Sequence, residues 1–196
     1  MQQKNLCAVS VTNKDRLRKQ LLKQRNALSP EFVAACSTSI ADKLFAEPWF
    51  QDSRCIMLYS SVGNEVCTHK IFQKSLEMHK QICFPKCIAQ GTMTSHLVKD
   101  QSDLQNGKFG ILEPKAFCPA VRPEQFDLIV VPAVGCDKNG FRIGYGKGYY
   151  DRFLPQTSAK KICLVFQDFL IPETYPGKYD CKCQKIITED GVYEIL

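Results

Sequence analysis

Residues 135–154, GCDKNGFRIGYGKGYYDRFL, place three glycines (Gly144, Gly146, Gly148) at alternate positions among Arg142, Lys147 and Asp151. Glycine allows backbone turns that other residues resist and lets backbone N–H groups approach a ligand closely. Two cations would neutralise an anion, and a carboxylate could hold Mg²⁺, which binds through one or two carboxylates plus phosphate oxygens. The segment follows DLIVVPAV (127–134), the most strand-like run in the chain, and leads into a short helical pattern over 149–154. In an open α/β sheet, ligands bind where loops leave the C-terminal ends of strands, and a helix N-terminus there presents free N–H groups to an anion. The spacing is neither a Walker A sequence nor GxGxxG, yet a plain tight turn would need only the glycines. It therefore reads as a phosphate loop.

More cations stand near the N-terminus. Residues 1–30 hold seven basic side chains against Asp15 alone, which accounts for the whole net charge of +6. Thr12 and Asp15 have the spacing of a capping box, predicting a helix over 14–28. At about 100° per residue Leu17, Leu21 and Leu28 form one stripe, with Lys14, Arg18 and Arg25 bordering it and Arg16, Lys19 and Lys23 opposite. The second trio fits a solvated face. The first borders buried surface, so Lys14 and Arg18 call for an anionic partner, either a ligand or a buried ion pair.

The rest of the chain supplies a scaffold. Ser29-Pro30 marks an N-cap and first-turn proline for a second helix with Phe32, Val33, Cys36, Ile40 and Leu44 on its apolar face. Strands are expected at 54–59, 81–84 (stopped by Pro85), 94–98, 127–134 and 161–166, and a helix capped by Thr68 carries Ile71, Phe72 and Leu76. Near-continuous apolar strands separated by helices indicate an α/β fold in one domain with both sheet faces covered. No run of about 18 apolar residues spans a membrane and no secretory pattern opens the chain, so a cytoplasmic location is expected. Eleven scattered cysteines without an export signal read as reduced thiols; Cys83-x3-Cys87 and Cys181-x-Cys183 lack a zinc frame.

With these blocks in order, the chain resembles the 5-formyltetrahydrofolate cyclo-ligase family, also called 5,10-methenyltetrahydrofolate synthetases. RIGYGKGYYDRFL (142–154) matches the family's most specific block, and Lys14-x3-Arg18, NEVCT at 64–68, GILEP at 110–114, DLIVVP at 127–132 and IITED at 186–190 extend the match. The resemblance implies a three-layer α/β/α, Rossmann-like fold with a largely parallel sheet. It implies closure of 5-formyltetrahydrofolate to 5,10-methenyltetrahydrofolate with ATP and Mg²⁺, by a monomer with no nucleic-acid or membrane partner. Carried residue by residue, the nucleotide contacts fall on Lys14, Arg18, Arg142, Gly144, Tyr145, Gly146, Lys147, Gly148, Tyr149 and Tyr150. The folate contacts fall on Glu65, Phe109 and Tyr149, and the metal carboxylates on Asp151 and Asp180. Arg142, Lys147 and Tyr149 would surround the reacting groups.

The sequence also departs from the family. Pro172-Glu173 is separated from Tyr179-Asp180 by TYPGK, which reads as a surface insertion tolerant of deletion; Tyr179 stands where the family has His, and Gln184 where another Asp is common. Two other classes share parts of the pattern: a non-catalytic nucleic-acid-binding relative using the basic helix, and a sugar-phosphate isomerase-like enzyme needing no ATP. The helix face separates them. Arg18→Ala is expected to weaken nucleotide binding while Arg16→Ala, about 200° around the helix, leaves it unchanged. Equal losses in a nucleotide titration would reject the assignment of faces.

Overall fold

The computed structural model describes residues 2–88, 91–107 and 110–195, with side chains from residue 13 onward. Phe109 lies outside the described residues. The helices are α1 (Gln2–Asn26), α2 (Pro30–Ala46), α3 (Pro48–Asp52), α4 (His69–Glu77) and α5 (Tyr149–Phe153). The strands are β1 (Cys55–Met57), β2 (Gln81–Cys87), β3 (Met93–Val98), β4 (Leu104–Asn106), β5 (Leu112–Pro114), β6 (Ala120–Val121) and β7 (Leu128–Pro132). They continue as β8 (Gly135–Asp137), β9 (Arg142–Ile143), β10 (Lys160–Leu164), β11 (Leu170–Ile171), β12 (Lys185–Ile187) and β13 (Val192–Glu194).

Eight strands form one sheet in the order β13-β12-β10-β7-β1-β2-β3-β6. The five central strands β12, β10, β7, β1 and β2 pair in parallel, while β12–β13, β2–β3 and β3–β6 pair antiparallel. Every residue of β1 and β12 is buried, as are Leu128 to Val131 of β7. Successive side chains point to opposite faces, so both faces of the sheet are covered. The expected α/β class with a largely parallel sheet is what is found. From β1 the chain passes through α4 to β2 on one side; from β7 it passes through α5 to β10 on the other. The neighbouring strands β1 and β7 thus send their connections in opposite directions. A crevice opens at their C-terminal ends.

Three local expectations are corrected. Helix α1 begins at Gln2 rather than near Lys14, so Thr12 lies inside it and not at its start; the preceding residues contain Gln, Lys, Leu and Ala and no Gly or Pro, and helix propensity carries through. Strand β2 continues through Pro85, which pairs in register with Ser95. The Cys83 carbonyl accepts from Leu58 N, so by alternation Pro85 also faces the β1 side, where β1 has already ended and no donor is needed. Thr68 occupies the N-cap position of α4, but its hydroxyl donates to Tyr59 O at 2.7 Å and ties down the loop after β1 instead of capping the helix. Ser29 does cap α2, accepting from Phe32 N at 3.2 Å ahead of Pro30.

The segment 174–178 is exposed over Pro176 to Lys178 but anchored at its start. Thr174 is fully buried, and its N–H and hydroxyl donate to Asp137 Oδ2 at 3.1 and 2.6 Å. Asp137 Oδ1 accepts from Asn139 N and Phe141 N at 2.9 and 3.1 Å. One buried carboxylate thereby joins the β8–β9 turn to the segment that leads to Asp180, and deleting that segment would strand its acceptor oxygen. The ten described cysteines are all thiols, six of them buried. No helix among the described residues is long and apolar enough to cross a membrane. Asp137→Ala should destabilise the protein by about 3 kcal/mol or more, because four donors lose a charged acceptor in the interior. An unfolding free energy from urea denaturation within about 1 kcal/mol of wild type would show that water replaces it.

Candidate active site

The crevice is a cavity of about 730 Å³, lined by α1, by the loops after β1, β7 and β9, by β2, β3 and β5 on one side, and by residues of the 175–180 segment. Helix α1 lays its apolar stripe on the core: Leu21 is buried, and Leu17, Leu22 and Leu28 pack against it. That docking turns Lys14, Arg18 and Arg25 toward the cavity side and leaves Arg16, Lys19 and Lys23 exposed, as the periodicity implied.

Charge gathers first around the glycine loop. The Arg18 Nε donates to Gly144 O at 2.7 Å, and its guanidinium also pairs with Asp15. Lys14 Nζ lies 2.5 Å from Asp180 Oδ2, and Arg142, itself buried, donates through Nη2 to Asp151 Oδ1 at 2.9 Å and through Nη1 to Cys181 O at 3.0 Å. Lys147 is exposed and forms no ion pair with a described residue. The loop conformation explains two of the glycines. Gly146 (φ +87°) and Gly148 (φ +67°) occupy the left-handed region, and a Cβ on Gly146 would meet the Arg18 guanidinium at 3.3 Å. Gly144 needs no such backbone and has open space where a Cβ would stand, on the cavity wall.

A second group sits deeper. Glu65, only 5% exposed, accepts from Val62 N at 2.9 Å and lies 3.9 Å from the guanidinium of Arg25, which is 4% exposed. Arg25 donates to the Tyr145 hydroxyl and, at 3.2 Å, to Ala133 O; the Tyr145 hydroxyl also bonds to Glu65. Burial raises the Glu65 carboxyl above its ordinary range, against the opposing pull of the Val62 N–H, Arg25 and Tyr145. Burial, reinforced by the charge of Glu65, pushes the Tyr145 phenol up to about 12, so Tyr145 is a neutral donor to Glu65.

The remaining wall is less polar. Tyr149 meets the thiol of Cys87, and Tyr150 buries its hydroxyl with no hydrogen-bond partner among the described residues while the Arg142 guanidinium stands 5.9 Å from its ring centre. Glu113, 7% exposed, accepts from Cys87 N at 3.1 Å and borders the same cavity.

The arrangement brings together every expected site residue that is described: Lys14, Arg18, Glu65, Arg142, residues 144–151 and Asp180 all line one cavity. Glu173 borders a different depression with Arg16 and Asp168. Two residues lie outside the expected set: Arg25, which borders the leucine stripe of α1 and so carries the same sequence signal as Lys14 and Arg18, and Tyr175, whose segment has the composition of a surface turn. One expectation changes in cause. Helix α5 has only five residues and no side-chain cap, so its dipole is small and the cations supply the charge.

Among the described residues no cluster of three metal-ligating side chains occurs. The chemistry of Asp151 and Asp180 is nevertheless compatible with Mg²⁺. The hydrogen bonds to Asp151 fall on Oδ1 and those to Asp180 on Oδ2, so each carboxylate keeps one oxygen that accepts nothing from a described residue. Two carboxylates are what this ion takes when phosphate and water complete its shell.

A doubly covered, largely parallel sheet with a cation-lined cavity at its switch point places the chain among α/β enzymes. Comparison specifies the group: residues 10–189 match the model of the 5-formyltetrahydrofolate cyclo-ligase family, and the chain belongs to that family. It is 29% identical over 194 residues to a probable 5-formyltetrahydrofolate cyclo-ligase of Caenorhabditis elegans, covering 90% of this chain and 92% of the relative. It is 33% identical over 168 residues to the 5-formyltetrahydrofolate cyclo-ligase of Mycoplasma pneumoniae, covering 81% and 90%. The solution structure of the Aquifex aeolicus 5,10-methenyltetrahydrofolate synthetase superposes with a TM-score of 0.84 at 31% identity, over 93% of this chain and 92% of that one.

The two kinds of loop glycine should separate experimentally. Gly146→Ala is expected to cost about 1–2 kcal/mol through its left-handed backbone, while Gly144→Ala stays within about 0.5 kcal/mol of wild type. Chemical denaturation measures both, and equal losses would contradict the geometry.

Proposed function

We propose that the protein closes 5-formyltetrahydrofolate to 5,10-methenyltetrahydrofolate, consuming ATP and releasing ADP and phosphate. The observation that carries this reading is one cavity holding both a set of phosphate-directed cations and a buried carboxylate, Glu65, at a separate place on its wall. The family relationship supports the reaction class; the residue roles below are read from chemistry and position.

The formyl oxygen is a poor leaving group. Transfer of the γ-phosphoryl group to it makes phosphate the leaving group, N10 of the folate attacks the activated carbon, and the ring closes as the C–O bond breaks. No protein nucleophile is needed. Lys14, Arg18, Arg142 and Lys147 hold the phosphates with the N–H groups of residues 144–148, so rate comes from positioning and charge stabilisation. Asp151 and Asp180 would hold Mg²⁺, which neutralises phosphoryl charge when bound. Glu65 accepts hydrogen bonds from the amino and ring N–H groups of the pterin, and Tyr149 lines the space between the two substrates. The open space at Gly144 leaves room for a phosphate against the loop backbone.

The direct test mixes purified protein with 5-formyltetrahydrofolate and MgATP and follows the near-UV absorbance of the methenyl product together with phosphate release. Turnover without ATP would favour an isomerase-like enzyme. Strongly salt-dependent RNA binding, with Arg16→Ala and Arg18→Ala equally impaired, would favour a nucleic-acid-binding relative. Within the proposed reaction, Asp151→Asn should fold normally, lower turnover at least about tenfold and raise the Mg²⁺ requirement. Near-normal rates at saturating Mg²⁺ would remove Asp151 from the metal role.

A further inference from the structure

Arg25 touches neither the glycine loop cations nor Asp151 and Asp180, yet it is among the most buried charges in the chain at 4% exposure. Its guanidinium bonds to Ala133 O, just beyond β7, and to the Tyr145 hydroxyl, and lies 3.9 Å from Glu65. Its own backbone carbonyl accepts from Asn64 Nδ2 at 3.0 Å, next door to Glu65. Three segments, α1, the loop after β1 and the glycine loop, therefore meet at one side chain. A buried ion pair is a costly way to build a core, and it is retained where it fixes a geometry.

We infer that Arg25 is a positioning residue for the folate-facing carboxylate: acting with the Tyr145 hydroxyl, it holds Glu65 ionised and aimed into the cavity, and so ties the pterin subsite to the helix that carries Lys14 and Arg18. The functional half of this inference rests on the cyclo-ligase reading; the geometric half does not. The groups facing Glu65 are Arg25 from α1, Tyr145 from the glycine loop, Tyr59 beyond β1 and Tyr150 from α5. Of these only Arg25 brings positive charge. A carboxylate accepts pterin N–H bonds only when ionised, so loss of Arg25 moves the onset of binding to higher pH.

The test is ¹³C NMR titration of the glutamate carboxyls in ligand-free protein, with Glu65 assigned by Glu65→Gln. In Arg25→Met the Glu65 midpoint is expected to rise by about one unit or more, with a smaller rise in Tyr145→Phe and recovery in Arg25→Lys, which restores charge. In turnover, KM for 5-formyltetrahydrofolate in Arg25→Met should rise by up to about tenfold at pH values below the new midpoint and converge on wild type above it, with kcat little changed. An unmoved Glu65 midpoint in folded Arg25→Met overturns the inference, as does a KM that follows wild type across pH. Should Arg25→Met fail to fold, Tyr145→Phe decides alone, since Tyr145 is half exposed; no upward shift there overturns the inference as well. If the wild-type protein never turns over 5-formyltetrahydrofolate, the cyclo-ligase reading falls while the titration still decides whether Arg25 governs Glu65.

Discussion

Strands β1 and β7 lie side by side, with Ile56 opposite Leu128 and Met57 opposite Ile129, yet their following connections leave in opposite directions. The end of that pair cannot be closed by its own loops, and α1 lies along the opening. Its position is set by close packing: a Cβ on Gly135 would stand 2.8 Å from Leu21 Cδ1, so the leucine tip rests directly against the glycine backbone. Once Leu21 is seated, the periodicity of α1 determines where Lys14, Arg18 and Arg25 point. The six basic residues between positions 14 and 25 are thus divided by one packing contact into three that turn to the cavity side and three that face water.

Charges placed there have to be neutralised before any ligand arrives. Lys14 pairs with Asp180, Arg142 with Asp151 and Arg25 with Glu65, all with side chains no more than 25% exposed. Such pairs recover little beyond their desolvation cost, so exchanging partners with an incoming ligand need not be uphill. On the cyclo-ligase reading the two pairs by the glycine loop suit exchange: phosphate oxygens can take over Lys14 and Arg142 while the carboxylates turn to a divalent cation. The Arg25–Glu65 pair is different, because Val62 N holds Glu65 while Ala133 O and the Tyr145 hydroxyl hold the two terminal nitrogens of Arg25, leaving its buried Nε without a partner among the described residues. It behaves as a fixed part of the wall.

The class of fold was legible because β1, β7 and the run 162–166 are apolar throughout and helices alternate with them; a ligand site at the strand ends followed from the glycine loop beyond β7. Periodicity alone separated Arg18 from Arg16. What stayed hidden depends on contacts distant in sequence. The strands β8, β9, β11, β12 and β13 are two or three residues long, too short for any alternation to register. The start of α1 was misplaced because a capping pattern carries no information about whether the preceding residues are helical too. The burial of Glu113 rests on β4–β5 pairing and a bond from Cys87 N, neither of which has a local signature.

The departures from the family pattern show how a single sequence misleads and where it does not. TYPGK has the composition of a surface turn, with proline, glycine and a lysine, and only its first residue, Thr174, betrays that the segment is anchored to buried Asp137. Tyr179, standing where the family has histidine, is 78% exposed and does not line the cavity. Gln184, standing where an aspartate is common, accepts from Lys161 N at 2.7 Å and holds the start of β10 against the approach to β12, a task a neutral amide performs without adding charge to the interior. The altered positions are therefore ones that pack or face solvent, whereas Lys14, Arg18, Glu65, Arg142, Lys147, Asp151 and Asp180 converge on one cavity from five segments of the chain. Convergence of that kind is imposed by the fold, and it is why those residues carry the functional argument although they are widely scattered in sequence.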